Sequence, residues 1–134
     1  MIQREGFTIA NLKMFKLTAE EVQNFFKTTQ MYLPQNAQQI IEELSSDLIV
    51  AMELLGDQCL QKWKEYTKSV GSSDLYGSQD QTCAYKEIEF FFSKASKLSS
   101  PANFNNCTCA VIKPHAITEK NLGAIIDHIL SAGF

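Results

Sequence analysis

The chain has 134 residues, 45% of them hydrophobic and 20% charged, with a formal net charge of −3, which is the size and balance of about one ordinary globular domain. The slight acidity leaves no basic footprint, so nucleic acid is not an expected partner. No apolar run approaches the roughly 20 residues that a membrane-spanning helix needs, so no membrane partner is expected either.

The opening Met1-Ile2-Gln3-Arg4-Glu5-Gly6 is too polar for a secretion signal, and a reducing, cytosolic setting is expected. Cys59, Cys83, Cys107 and Cys109 lack a C-x2-C pair or a histidine cluster. They are expected to be packed, reduced thiols, with no metal site.

Phe7 to Leu17 is rich in strand formers, and the spacing-two pattern changes phase near Asn11, which predicts a strand with a bulge or twist. Thr18-Ala19-Glu20-Glu21 has the form of a capping box and opens a helix to about Gln30. Pro34 ends it, and Ile40, Ile41 and Leu44 give a second short helix over 37–45. Leu48 to Met52 is a continuous apolar run, as in a central strand buried on both faces. From Asp57, Leu60, Trp63 and Thr67 line one side of a helix that stops near Gly71.

Leu75-Tyr76-Gly77-Ser78 reads as a short strand, and Gln81 to about Ala95 as a helix with Ala84, Ile88, Phe91 and Phe92 on its apolar stripe. Not all of Phe90, Phe91 and Phe92 can face inward on one helix. Lys97 to Asn106, rich in Ser, Asn and one Pro, reads as a linker. A strand over Cys107–Ile112, in which Cys107 and Cys109 share a face, and a helix over Thr118–Ser131 close the chain.

Ala132-Gly133-Phe134 echoes Glu5-Gly6-Phe7, and each Gly-Phe marks an exit from a helix toward a strand. The βα order therefore lacks one opening unit at the front and carries such a unit at the back. Supplying it cyclically gives the split-βαβ arrangement. The fold class is α+β, a ferredoxin-like antiparallel sheet covered by helices, with the first strand-helix unit at the C-terminal end. Residues 1–98 form a domain lacking its first strand and helix, 99–106 the linker, and 107–134 the first strand and helix of a following or permuted domain.

Ala110-Val111-Ile112-Lys113-Pro114-His115-Ala116 resembles the opening strand and Lys-Pro turn of the nucleoside diphosphate kinase family. Leu48 to Met52 resembles its central strand, and Gly77-Ser78 with Ala84, Lys86-Glu87-Ile88 and Phe92 its His-Gly-Ser-Asp stretch and following helix. The match is most like the tandem-domain, cilium-associated (axonemal) homologues. The family's reaction passes a phosphoryl group through a histidine nitrogen, with cations and backbone donors neutralising the phosphate oxygens.

The register places Tyr76 at the histidine position, and a phenol with a pKa near 10 is a poor substitute. Lys64 falls where the family has a phosphate-binding Arg, Ser73 where an Asn would orient the histidine, and Phe26 where a Tyr hydroxyl would meet a phosphate. Lys113 is the family lysine unchanged. The long loop that supplies further phosphate ligands is reduced here to residues 68–74.

Lys64 and Lys113 are thus vestigial nucleotide-binding positions, no residue is expected to be catalytic, and no cofactor is expected. His115 and His128 read as surface or turn residues. The resemblance implies a pseudoenzyme that serves as a structural module. Its expected setting is the ciliary or flagellar axoneme, with tubulin and other doublet-microtubule proteins as partners, as an assembly member and not a free hexamer. The alternative is a nucleoside diphosphate kinase that acts on ATP and nucleoside diphosphates through a site in a missing or partner domain.

Overall fold

The computed structural model describes residues 2–29, 37–71 and 74–134. A single 3-10 turn, Ile2–Glu5, leads through Gly6 into β1 (Thr8–Lys16), which pairs antiparallel with β2 (Leu48–Leu55). The ladder slips by one residue between Ile9 and Asn11, which is the bulge that the phase change predicts.

Between the strands lie α1 (Ala19–Thr29) and α2 (Ala37–Ser46). The capping box forms as expected. The Thr18 backbone N–H donates to the Glu21 carboxylate at 2.7 Å, and the Glu21 N–H donates to the Thr18 hydroxyl at 3.2 Å. Gln30 and Pro34 lie outside the described residues.

After β2 come α3 (Cys59–Val70) and α4 (Gln81–Phe92). α3 ends as expected at Gly71, whose left-handed φ of 64° lets its N–H reach the Thr67 carbonyl.

Directly paired residues share a face, so the register separates two surfaces. Phe15, Ile49 and Ala51 point to the covered face. There they meet α1, α2 and α4 through a core of Phe15, Leu17, Val22, Phe25, Phe26 and Ile41. Each ring of the Phe90-Phe91-Phe92 run stays only partly buried, yet all three join the core cluster. Phe91 lies 5.3 Å from both Phe15 and Phe25, Phe90 lies 5.3 Å from Phe25, and Phe92 lies 6.4 Å from Phe15. Edge-to-face and tilted contacts of this kind let one run of aromatics serve two elements.

Four expectations are corrected. β2 is not buried on both faces: Leu48 and Val50 are 47% and 49% exposed on the side opposite the helices, together with Leu12 and Met14 of β1. The sheet has two strands among the described residues, and nothing there covers that side. Residues 75–78 form no strand and have no ladder partner among the described residues. The 107–112 segment is likewise unpaired, and Cys107 and Cys109 are exposed and not packed.

The last helix is two pieces, α5 (Pro114–Thr118) and α6 (Leu122–Ser131). They are parted at Lys120, whose φ of 59° no right-handed helix accepts.

The Gly-Phe echo holds in three dimensions. Gly6 has φ 90° and Gly133 φ 89°. Each donates its N–H to the carbonyl three residues back, Gly6 to Gln3 at 3.3 Å and Gly133 to Leu130 at 3.0 Å. The same left-handed corner follows a helical turn at both places, and glycine takes it without strain.

Phe15 is fully buried at the junction of sheet, α1 and α4. Phe15→Ala is expected to cost about 3–5 kcal/mol through lost transfer energy and a residual cavity, seen as a lower urea midpoint at unchanged m-value.

Candidate functional site

Three elements converge on residues 75–80. From α3, the Trp63 indole N–H donates to the Tyr76 carbonyl at 3.1 Å, and Lys64 Nζ donates to the Gln79 carbonyl at 2.7 Å. Trp63 is buried, meets Phe7 edge-on at 5.8 Å and stacks on Tyr66 at 5.5 Å. Gly77 lies so close to this indole that a Cβ there would overlap the ring, which explains why the position takes no side chain.

From the segment itself, Asp80 caps α4 by accepting the Cys83 N–H at 2.8 Å. This backbone hydrogen bond holds the Asp80 carboxyl below the usual carboxylate range. Cys83 also points its Sγ at the Thr29 carbonyl at 3.8 Å, which links α4 to α1. Its thiol is pushed up, first by desolvation and then by the Asp80 charge, so it is a weak nucleophile.

From α4, Glu87 enters the apolar side of the helix and is buried. Its two carboxylate oxygens take different hydroxyls: Tyr76 Oη donates to Oε1 at 2.7 Å, and Ser78 Oγ donates to Oε2. A buried carboxylate needs such donors to offset its lost hydration.

The bonds act back on Tyr76. Desolvation first, then the hydrogen bond to Glu87 and its negative charge, push the phenol well above its ordinary pKa. Around neutrality the phenol is a fixed hydrogen-bond donor and not a nucleophile.

The structure brings Tyr76, Lys64 and the Gly77-Ser78 pair into one region. Lys64 is committed to a backbone carbonyl. Lys113 is exposed at the start of α5, and it shares no hydrogen-bond partner with Lys64 among the described residues. Phe26 is buried in the core, 5.5 Å from Phe25. Ser73 lies outside the described residues. His115 and His128 are exposed.

Sequence reasoning missed the role of Glu87 and of Trp63. The signal for Glu87 is present, since it sits between Ala84 and Phe91 at helical spacing, and a lone acid on an apolar stripe calls for a partner.

The described residues include surface depressions away from this cluster. One of about 330 Å³ lies between α1, α4 and residues 93–98, and one of about 790 Å³ lies at the start of α3. Neither is lined by Tyr76, Ser78 or Glu87.

A sequence profile of the family described as "Nucleoside diphosphate kinase" matches residues 1–74. This chain belongs to that family. The match covers more than half of the chain and ends immediately before the Leu75–Asp80 segment.

"Nucleoside diphosphate kinase homolog 7" of Mus musculus is 34% identical over 158 aligned positions, which take in all of this chain and 39% of the relative. "Thioredoxin domain-containing protein 3 homolog" of Heliocidaris crassispina is 28% identical across 99% of this chain and 17% of the relative. The "Nucleoside diphosphate kinase" of Persephonella marina is 30% identical across 69% of this chain and 78% of the relative.

The chain thus spans well under half the length of the mouse and Heliocidaris relatives. With 158 aligned positions against 134 residues, at least 24 positions of the mouse alignment have no residue in this chain. The α+β arrangement, an antiparallel sheet with helices packed on it, is that of the nucleoside diphosphate kinase family.

Two predictions follow from the geometry. Gly77→Ala drives a methyl group into the Trp63 indole and is expected to destabilise by roughly 1–3 kcal/mol, measured by urea unfolding. Tyr76 ionises later in the folded chain than in the unfolded one, so its share of the stability is intact below about pH 10 and declines as the pH rises beyond it. Tyr76→Phe should flatten that part of the alkaline decline when unfolding is followed against pH.

Proposed function

We propose that this chain is a non-catalytic nucleoside diphosphate kinase-like module whose work is structural. The observation that carries this reading is the Tyr76–Glu87–Ser78 cluster. Tyr76 stands where the resemblance puts the family's histidine, and its phenol is held as a donor on a buried carboxylate. Phosphoryl relay needs a neutral nitrogen that both accepts and releases the group near pH 7. A phenol kept protonated does neither, and a phosphotyrosine would set a dianion beside the Glu87 carboxylate.

Cations for the phosphate oxygens are sparse at the same place. Lys64 Nζ is bound to the Gln79 carbonyl, and Lys113 belongs to another part of the chain. Phosphoryl transfer rests on positioning and on cations at the phosphate oxygens, and family membership does not by itself supply them.

By the resemblance to tandem-domain, cilium-associated homologues, we place the module in the axoneme of cilia or flagella, on the doublet microtubules, with tubulin and neighbouring lattice proteins as its partners. The uncovered apolar side of the β1–β2 sheet supports an assembly role, because a surface of that kind is stable when something lies against it.

The enzyme reading and the structural reading part on one assay. The purified chain is expected to show no transfer of phosphate from ATP to a nucleoside diphosphate above background. Tyr76→His is expected to stay inactive, since the phosphate donors are still missing. Turnover by either form, with a phosphohistidine trapped on the protein, overturns the non-catalytic reading. The cellular placement has its own test: the tagged protein should remain with salt-washed axonemes, and quantitative release into the soluble fraction would count against it.

A further inference from the structure

We propose that the depression between α1, α4 and residues 93–98 is a binding site for a small monocarboxylic acid with an apolar body. Its volume of about 330 Å³ lies at the lower end of the range for small-molecule sites. None of its walls draws on the Tyr76–Glu87–Ser78 cluster, so the site stands apart from the non-catalytic reading.

The apolar part of the lining is built into the fold. Phe90 lies 5.3 Å from Phe25, and Phe90 and Leu98 both pack against the core cluster. The segment that closes the cleft is tied down as well. The Ser96 N–H donates to the Ser93 carbonyl at 3.0 Å, and Ser96 Oγ donates to the Phe90 carbonyl at 2.9 Å. These bonds hold residues 93–96 against the last turn of α4, and a ligand meets a cleft that exists before it arrives.

The polar part of the lining calls for an anion. Lys86 lines the cleft half-buried, and Lys97 lines it from the closing segment. Among the described residues neither side chain makes a hydrogen bond or an ion pair. A half-covered ammonium has lost part of its hydration, and a carboxylate restores it through charge-assisted hydrogen bonds. On the α1 wall, Asn24 and Thr28 present side chains that are likewise unbonded among the described residues.

Two acids line the same cleft, Glu21 and Glu89. The Glu21 carboxylate is already engaged in the capping box, where it accepts the Thr18 N–H at 2.7 Å and the Thr18 hydroxyl at 3.0 Å. Glu89 is exposed, and its carboxylate is unbonded among the described residues. Two unpaired ammoniums against one unpaired carboxylate favour an anion of single charge, because a second negative charge on the ligand would be repelled by Glu89. The apolar body of the acid covers Phe90 and Leu98 while its carboxylate reaches the two lysines.

The test uses the 134-residue chain and 4-phenylbutyrate as the probe, followed by NMR shifts of the backbone amides. Saturable shifts are expected in residues 21–28 and 86–98, with a dissociation constant of about 1 mM or below. Trp63 emission is expected to stay unchanged. 4-Phenylbutan-1-ol and 4-phenylbutylamine carry the same body without the negative charge, and each should bind at least about tenfold more weakly. Lys86→Gln should weaken binding of the acid by at least about tenfold. It should leave the urea midpoint unchanged, since the side chain holds no partner in the folded chain. The absence of saturable shifts at these residues overturns the proposal. So does equal binding of the acid, the alcohol and the amine, or binding of the acid that survives the combined Lys86→Gln and Lys97→Gln changes.

Discussion

The burial of Phe15 against Phe91 and Phe25 is the contact on which the remaining geometry rests. Phe15 lies on β1, Phe25 on α1 and Phe91 on α4, with ring centres 5.3 Å apart in the two pairs that involve Phe91. These rings fix the rotation of α4 about its axis. Glu87, one helical turn before Phe91, is thereby turned inward between Ala84 and the 75–80 segment. Once a carboxylate is placed there, hydroxyls must come to it, and Tyr76 and Ser78 do. The hydrophobic cluster thus sets the polar one, and the polar one decides what Tyr76 is able to do.

The segment before α4 is held at both flanks by side chains that ordinarily have other uses. Trp63 and Lys64 are neighbours on α3; the Trp63 indole N–H and one of the three Lys64 ammonium donors each go to a backbone carbonyl of the 75–80 segment. A lysine bound in this way has fewer donors left for an anion. The result is an ordered cluster of acid, phenol and hydroxyl held between α3 and α4.

Local features of the sequence translate directly into structure, while features that depend on absent neighbours do not. The capping box at Thr18, the bulge near Asn11, the stop at Gly71 and the left-handed corners at Gly6 and Gly133 are all specified within a few residues, and each forms. The close approach of Gly77 to Trp63 is not legible in the sequence, because it depends on a residue of α3 fourteen positions earlier. Glu87 is harder to read, since the spacing marks it as inward-facing but names no partner.

The expectations that fail are those of long range. β2 has the composition of a buried strand and is half uncovered. Residues 107–112 have the composition of a strand and no ladder. Composition records the environment in which a segment is stable, and a single chain need not contain all of that environment.

Trp63 is the only tryptophan in the sequence, and its indole touches Gly77, binds the Tyr76 carbonyl and stacks on Tyr66. The tryptophan fluorescence of the chain therefore comes from a single emitter seated beside the 75–80 segment. Its colour and quenching report whether the 75–80 segment is docked or released, with no label attached. A molecule that displaced Tyr76 from Glu87 would announce itself optically, and one that bound elsewhere would leave the emission untouched. The fold thus carries its own probe beside the Tyr76–Glu87–Ser78 cluster.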